Sequence, residues 1–92
     1  MAIEVRIPTI LRTYTDGQKA VEGKGDSLDG LLADLDGRHP GLRGRLVTGE
    51  GALHRFVNVY VNDEDVRFLG GLETPLKDGD SVTVLPAVAG GA

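Results

Sequence analysis

Cysteine is absent from the 92 residues, and that absence removes several chemistries at once. Zinc fingers, thiol catalysis and cysteine-held iron–sulfur clusters are excluded, no disulfide can staple the fold, and the chain suits a reducing compartment. A surplus of positive charge is also missing. Asp and Glu number 14 against 10 Lys and Arg, for a formal charge of -4, which opposes the phosphate backbone that a nucleic-acid binder must neutralise. Nucleic acid is not an expected partner. Nor is a membrane: no window reaches the apolar length of a span, and MAIEVRIPTI has neither the basic start nor the apolar stretch of a secretory signal. A cytoplasmic protein is the expectation. The length allows one small hydrophobic core and no second one.

What is present is a clear alternation of periods. Ile3, Val5 and Ile7 alternate with Ala2, Glu4 and Arg6, and Pro8 ends the run, which predicts a half-buried strand over 2–7. QKAVEG predicts a second, shorter strand. The TILRTYTDGQ between them carries turn residues at Asp16 and Gly17 but exceeds what a tight hairpin needs, so it reads as a loop with contacts of its own. Leu28, Leu31, Leu32 and Leu35 recur at the helical spacing behind a cap at Asp26 or Ser27, with Gly37 and Pro40 as stop signals. A helix of about three turns is stable only when packed on a sheet. PGLRGRLVTGEGAL is glycine-punctuated and reads as irregular, with a turn of helix around 42–46; its GEG lacks the strand, helix and Lys that a phosphate cradle requires. RFVNVYVN is the strongest strand, with Val57, Val59 and Val61 on one face and Phe56, Asn58 and Tyr60 on the other. Asn62-Asp63 turns the chain, DVRFL reads as a short strand, Asp78-Gly79 turns it again, and SVTVLP is the last strand.

Two strands, a helix and further strands predict an α+β domain over 1–86: a mixed sheet of four to five strands with one main helix packed on one face. With the last strand parallel to the first, this is the β-grasp, or ubiquitin-like, arrangement. Its final strand is central, so residues 87–92 leave a rigid support as a flexible tail.

FVNVYVND followed by PLKDGDSVTVLPAVAGG resembles the MoaD/ThiS family of ubiquitin-like sulfur carriers, which share the strand ending in Val-Asn, the Asp-Gly-Asp turn and a terminal Val-Ala-Gly-Gly. IPTILRTYTDGQKAVEGKGDSL and FVNVYVNDEDVRFLGGL resemble more narrowly its CysO branch, which serves cysteine formation. The resemblance implies a carrier that is a substrate and not an enzyme. Its partners would be an E1-like adenylating and sulfurating enzyme of the MoeB/ThiF type using ATP and Mg, and a sulfur acceptor such as a pyridoxal-phosphate-dependent cysteine synthase or a ThiG-like synthase. A JAMM-type zinc peptidase would complete the set. The carrier itself would bind no cofactor. Thiosugar, molybdopterin and thiazole synthesis use the same kind of tail and stay open as destinations, as do a ubiquitin-like protein modifier and a plain interaction module.

The chemistry explains the tail. A carboxylate is a poor electrophile until it is joined to AMP, after which a sulfur donor can displace AMP and leave a thiocarboxylate. The activating enzyme must surround that carboxylate with oriented donors away from bulk water, which calls for a narrow channel. Ala87, Val88, Ala89, Gly90 and Gly91 span at most roughly 17 Å when extended, and glycine lets the backbone lie against a channel wall. Gly91 is the expected sulfur-carrying terminus and the four residues before it the threading segment. Family members that act directly end at the second glycine, so the resemblance makes Ala92 a residue to be removed.

Other candidates are weaker. His39 and His54 each stand without a second ligand at helical or turn spacing, Asp63, Glu64 and Asp65 lack the spacing of a calcium loop, and Asp78 and Asp80 read as a solvated turn. No metal site is expected. Phe56, Tyr60 and Leu85 fall on the sheet face turned away from the valines, either as a partner surface or as a minor second core beneath 42–53.

Overall fold

The computed structural model describes residues 2–55 and 57–86; Met1, Phe56 and the segment 87–92 lie outside the described residues. Five strands form one sheet: β1 (Ile3–Arg6), β2 (Ala20–Gly23), β3 (Val57–Val61), β4 (Glu64–Asp65) and β5 (Ser81–Pro86), in the order β2-β1-β5-β3-β4. β5 runs parallel to β1 and antiparallel to β3, so the last strand is hydrogen-bonded on both edges at the centre of the sheet. Val82 sits in register with Val5 on one side and Val61 on the other, and Val84 pairs with Val59. These β-branched side chains point to one face and are buried there.

That face is closed by α1 (Leu28–Arg38), whose Leu28, Leu31, Leu32 and Leu35 are all buried. Ser27 is the cap of the two candidates: its hydroxyl accepts the Gly30 amide at 3.2 Å. Gly37 does not stop the helix. It lies inside it on the exposed side, and the helix ends at Arg38 ahead of Pro40. The chain passes at once into α2 (Leu42–Leu46), because the Asp36 carboxylate accepts the amides of Gly41 and Arg43 at 3.1 and 3.2 Å and ties one helix to the next. Gly25 permits the close approach of β2's exit to the helix, since a Cβ there would fall on the backbone nitrogen of Leu31.

Two segments differ from the sequence-based expectation. The expected loop after Pro8 is a 3-10 helix over Thr9–Thr15 that buries Leu11 and Thr15. Its Asp16 adopts the left-handed conformation that ends it. DVRFL is not a strand over its length. Only Glu64 and Asp65 pair with β3; then the Asp65 carboxylate accepts the Arg67 amide at 2.9 Å and draws the chain into a 3-10 turn over Val66–Phe68. The expected turn at Asn62-Asp63 is present as a two-residue hairpin with φ of 51° and 73°. The segment 47–53 is less irregular than its glycines suggest, being closed by a bridge between Val47 and Leu53.

Candidate functional site: the end of the last strand

The two ends of β5 are built differently. At its start, the Asn62 amide donates to the Ser81 carbonyl at 2.8 Å, and the Ser81 amide to the Asn62 side-chain oxygen at 3.0 Å. The Asn62 side-chain nitrogen then donates to Asp80 at 3.1 Å, while the other oxygen of that carboxylate accepts the Lys77 amide at 2.9 Å. The Lys77 amide, and after it the Asn62 side chain, hold the Asp80 carboxyl below its ordinary pKa. Asp80 is thus a structural anchor of the turn and more than a solvated acid.

At its other end, β5 pairs Leu85 with Asn58 and Pro86 with Val57. Leu85 is 45% exposed, and beside it Ile10 is 64% exposed. A groove of about 380 Å³ opens there between the 3-10 segment and the strand end, bordered by Ile10, Leu85, Pro86, Arg45 and His54. Arg45 is held by Tyr14: its Nε donates to the phenol oxygen at 2.6 Å, and its guanidinium lies 5.6 Å from the ring centroid. On the helix-free face Tyr60 is in register with Thr83 and is half-buried. The segment expected as a possible roof does not serve as one. Leu42, Leu46 and Val47 join the main core with α1 on the opposite side of the sheet.

Of the residues singled out from sequence, Tyr60 and Leu85 therefore share the helix-free face. Phe56, the threading residues Ala87, Val88, Ala89 and Gly90, the terminus Gly91 and the extra Ala92 lie outside the described residues. Sequence reasoning missed Ile10. The segment that carries it read as a loop, and only the 3-10 helix that buries Leu11 and Thr15 leaves Ile10 on the exposed side. It also missed Arg67, whose guanidinium donates to the Asn58 side chain at 2.6 Å and the Val57 carbonyl at 3.0 Å. Those bonds satisfy the edge of β3 where β4 no longer covers it. Among the described residues no three His, Asp or Glu side chains could together hold a metal ion, and no helix is long and apolar enough to cross a membrane.

A five-stranded mixed sheet with its last strand in the middle and one main helix across one face defines a β-grasp, ubiquitin-like protein. The family can be stated as well. The chain belongs to the ThiS family, whose profile matches residues 5–91. It is 58% identical to the sulfur carrier protein CysO of Mycobacterium tuberculosis, over 99% of this chain and all of that one. The crystal structure of M. tuberculosis CysO superposes with a TM-score of 0.90, covering 94% of this chain and 99% of that chain. The CysO in a crystal structure of the Amycolatopsis orientalis BexX/CysO complex is 60% identical and also gives 0.90, over 95% of this chain and 97% of that one.

Proposed function

We propose that the chain is a sulfur carrier whose Gly91 carboxylate, freed by removal of Ala92, is converted to a thiocarboxylate and delivers sulfur for cysteine synthesis. The reading rests most on one observation. The final strand is hydrogen-bonded on both edges and locked at its start, and it reaches Pro86 only five residues before Gly91 in a chain 58% identical to a CysO sulfur carrier.

The reaction has two steps. The carboxylate oxygen attacks the α-phosphorus of Mg-bound ATP, which expels pyrophosphate and leaves an acyl adenylate. A sulfide donor then attacks the acyl carbon, AMP departs with the bonding pair, and the product carries one sulfur in place of oxygen. An E1-like enzyme of the MoeB/ThiF type supplies the channel and the ATP site. The carrier supplies the substrate carboxylate and holds no cofactor of its own. A cytoplasmic pyridoxal-phosphate-dependent cysteine synthase is the acceptor in this reading, and a JAMM-type peptidase releases the amino acid and removes Ala92.

Ala92 matters through distance. Its carboxylate would stand one residue, roughly 3.5 Å, beyond that of Gly91, which is large against catalytic tolerances of about 1 Å. The test incubates two purified proteins, ending at Gly91 and at Ala92, with activating enzyme, ATP and sulfide, and follows intact mass. The Gly91 form should exchange one oxygen for sulfur and the Ala92 form should remain unchanged. Equal rates would remove the processing step, whereas larger, lysine-linked species would point to a protein modifier.

A further inference from the structure

The dipeptide Asp-Gly occurs four times in the chain, at Asp16-Gly17, Asp29-Gly30, Asp36-Gly37 and Asp78-Gly79. This pair is prone to cyclise, because glycine has no Cβ to hinder its own amide nitrogen as it approaches the preceding carboxyl. The fold treats the four differently. Asp36 and Gly37 lie inside α1, with the Gly37 amide in the helical ladder and the Asp36 carboxylate occupied by the amides of Gly41 and Arg43. Asp29 stands in the first turn of the same helix and accepts from Arg43 at 2.7 Å, while the Gly30 amide donates to the Ser27 hydroxyl at 3.2 Å. The Gly17 amide donates to the Arg12 carbonyl at 2.7 Å. Asp78-Gly79 has no such restraint. Both residues are exposed on the turn into β5, and among the described residues neither the Asp78 carboxylate nor the Gly79 amide has a hydrogen-bond partner. A Cβ built on Gly79 would meet nothing within 4 Å, so the turn has room around the reacting atoms.

We propose that Asp78-Gly79 is a covalent modification site where the chain isomerises spontaneously through a succinimide to isoaspartate, a product that an S-adenosylmethionine-dependent carboxyl methyltransferase would take as substrate. The Gly79 nitrogen bonds to Cγ of the protonated Asp78 carboxyl, whose hydroxyl leaves with the nitrogen's proton as water. Water then opens the ring. Attack at Cγ restores aspartate, whereas attack at the backbone carbonyl leaves the chain running through Cγ and an α-carboxylate free in solvent. The second product has the same mass and one more methylene in its main chain. Two bonds span that point, from the Asp80 amide to the Lys77 carbonyl at 3.1 Å and from the Lys77 amide to the Asp80 carboxylate at 2.9 Å. A lengthened turn draws them apart, and with them the Asp80 carboxylate that accepts from the Asn62 side chain. The modification therefore loosens the start of β5. It involves the end of the strand remote from Pro86 and stands independently of the sulfur-carrier reading.

The experiment holds the purified full chain and its Asp78→Glu variant, whose longer side chain cannot close a five-membered ring, for several weeks at physiological temperature and pH. Parallel samples of the unaltered chain are kept in guanidinium chloride. Peptide mapping with electron-transfer fragmentation assigns isoaspartate to each position, and methyl uptake from S-adenosylmethionine, catalysed by a purified isoaspartyl methyltransferase, measures the total. In the folded chain isoaspartate at 78 should exceed that at 16, 29 or 36 by about tenfold, the factor expected when a hydrogen bond must first be broken to free the amide or the carboxylate. In denaturant the four positions should agree within about threefold, since the chain that flanks them is then disordered. Asp78→Glu should lose most of the methyl uptake of the folded protein. The fraction isomerised at 78, separated by ion exchange, should melt about 4–8 °C below the unaltered chain. A folded chain with the same distribution as the denatured one would overturn the proposal, as would isoaspartate led by Asp16 or absent from 78. An isomerised fraction that melts with the unaltered chain would overturn the loosening of β5.

Discussion

The two ends of the central strand teach opposite lessons about what a small carrier must build and what it must leave open. Where β5 begins, Asn62, Lys77, Asp80 and Ser81 satisfy one another through backbone and side-chain hydrogen bonds. Where it ends, Leu85, Pro86 and Ile10 are exposed beside a groove that Glu4, Arg6, Arg12 and Lys19 also line. The locked end and the buried valine row hold the strand as a fixed base. The open end leaves apolar side chains uncovered among the described residues.

The largest effect should come from testing burial against exposure directly. Leu31→Ala removes a side chain buried between α1 and the sheet, and should cost about 2–5 kcal/mol in urea unfolding. Leu85→Ala, at the open end, should change stability by less than about 0.5 kcal/mol, yet weaken binding to the activating enzyme by about 1–3 kcal/mol if it is a central contact. Should Leu85→Ala destabilise as much as Leu31→Ala, the open end would be core after all, and the contrast between the ends would collapse.

A second, smaller effect concerns how closely the helix is pressed on the sheet. Gly25→Ala places a methyl on the Leu31 backbone nitrogen, where the helix start must move to admit it. A loss of about 1–3 kcal/mol is expected. Gly37→Ala, on the exposed side of the same helix with open space around a new Cβ, should instead stabilise by up to about 1 kcal/mol. Thermal melts of the two variants moving in the same direction would refute this account of the helix–sheet contact.

The same contrast explains what could be read from sequence. β1, β3, β5 and α1 announce themselves because one face of each is buried, so Val57, Val59 and Val61 or Leu28, Leu31, Leu32 and Leu35 keep strict period. The 3-10 helix over Thr9–Thr15 has too few residues to show a period, and its fold depends on a remote fact, the burial of Leu11 and Thr15 against the rest. DVRFL looks like a strand by composition, but the local bond from the Arg67 amide to Asp65 outcompetes further pairing with β3. Gly37 looks like a stop because glycine often follows a helix, whereas here Asp36 carries the termination by gathering the amides of Gly41 and Arg43. For the candidate site, the apolar members Tyr60 and Leu85 were legible from strand alternation. The charged border of the groove beside them was not, because Glu4, Arg6, Arg12 and Lys19 are brought together by the pairing of β1 with β2 and β5 and by the intervening 3-10 segment.

The smallest predicted effect lies at the locked end and depends on pH. Asp80 has a folded pKa lowered by the Lys77 amide and Asn62, so its ionised form is favoured by folding. That contribution is fully present above the pKa of an unfolded aspartate, about 3.9, and is lost as pH falls through the lower folded value. Asp80→Asn keeps the size of the side chain but removes the charge and puts an NH2 group where one carboxylate oxygen accepts a hydrogen bond. Near neutral pH the variant should be less stable than the parent by no more than about 1 kcal/mol, because a largely exposed group is screened by water. As the pH is lowered past the unfolded aspartate value, the parent should lose its ionic advantage and the gap should narrow. Urea titrations of both proteins at neutral pH and at successively lower pH measure that gap. A gap constant across the series would mean that Asp80 supports the turn by shape alone, and the lock at the start of β5 would then owe nothing to its charge.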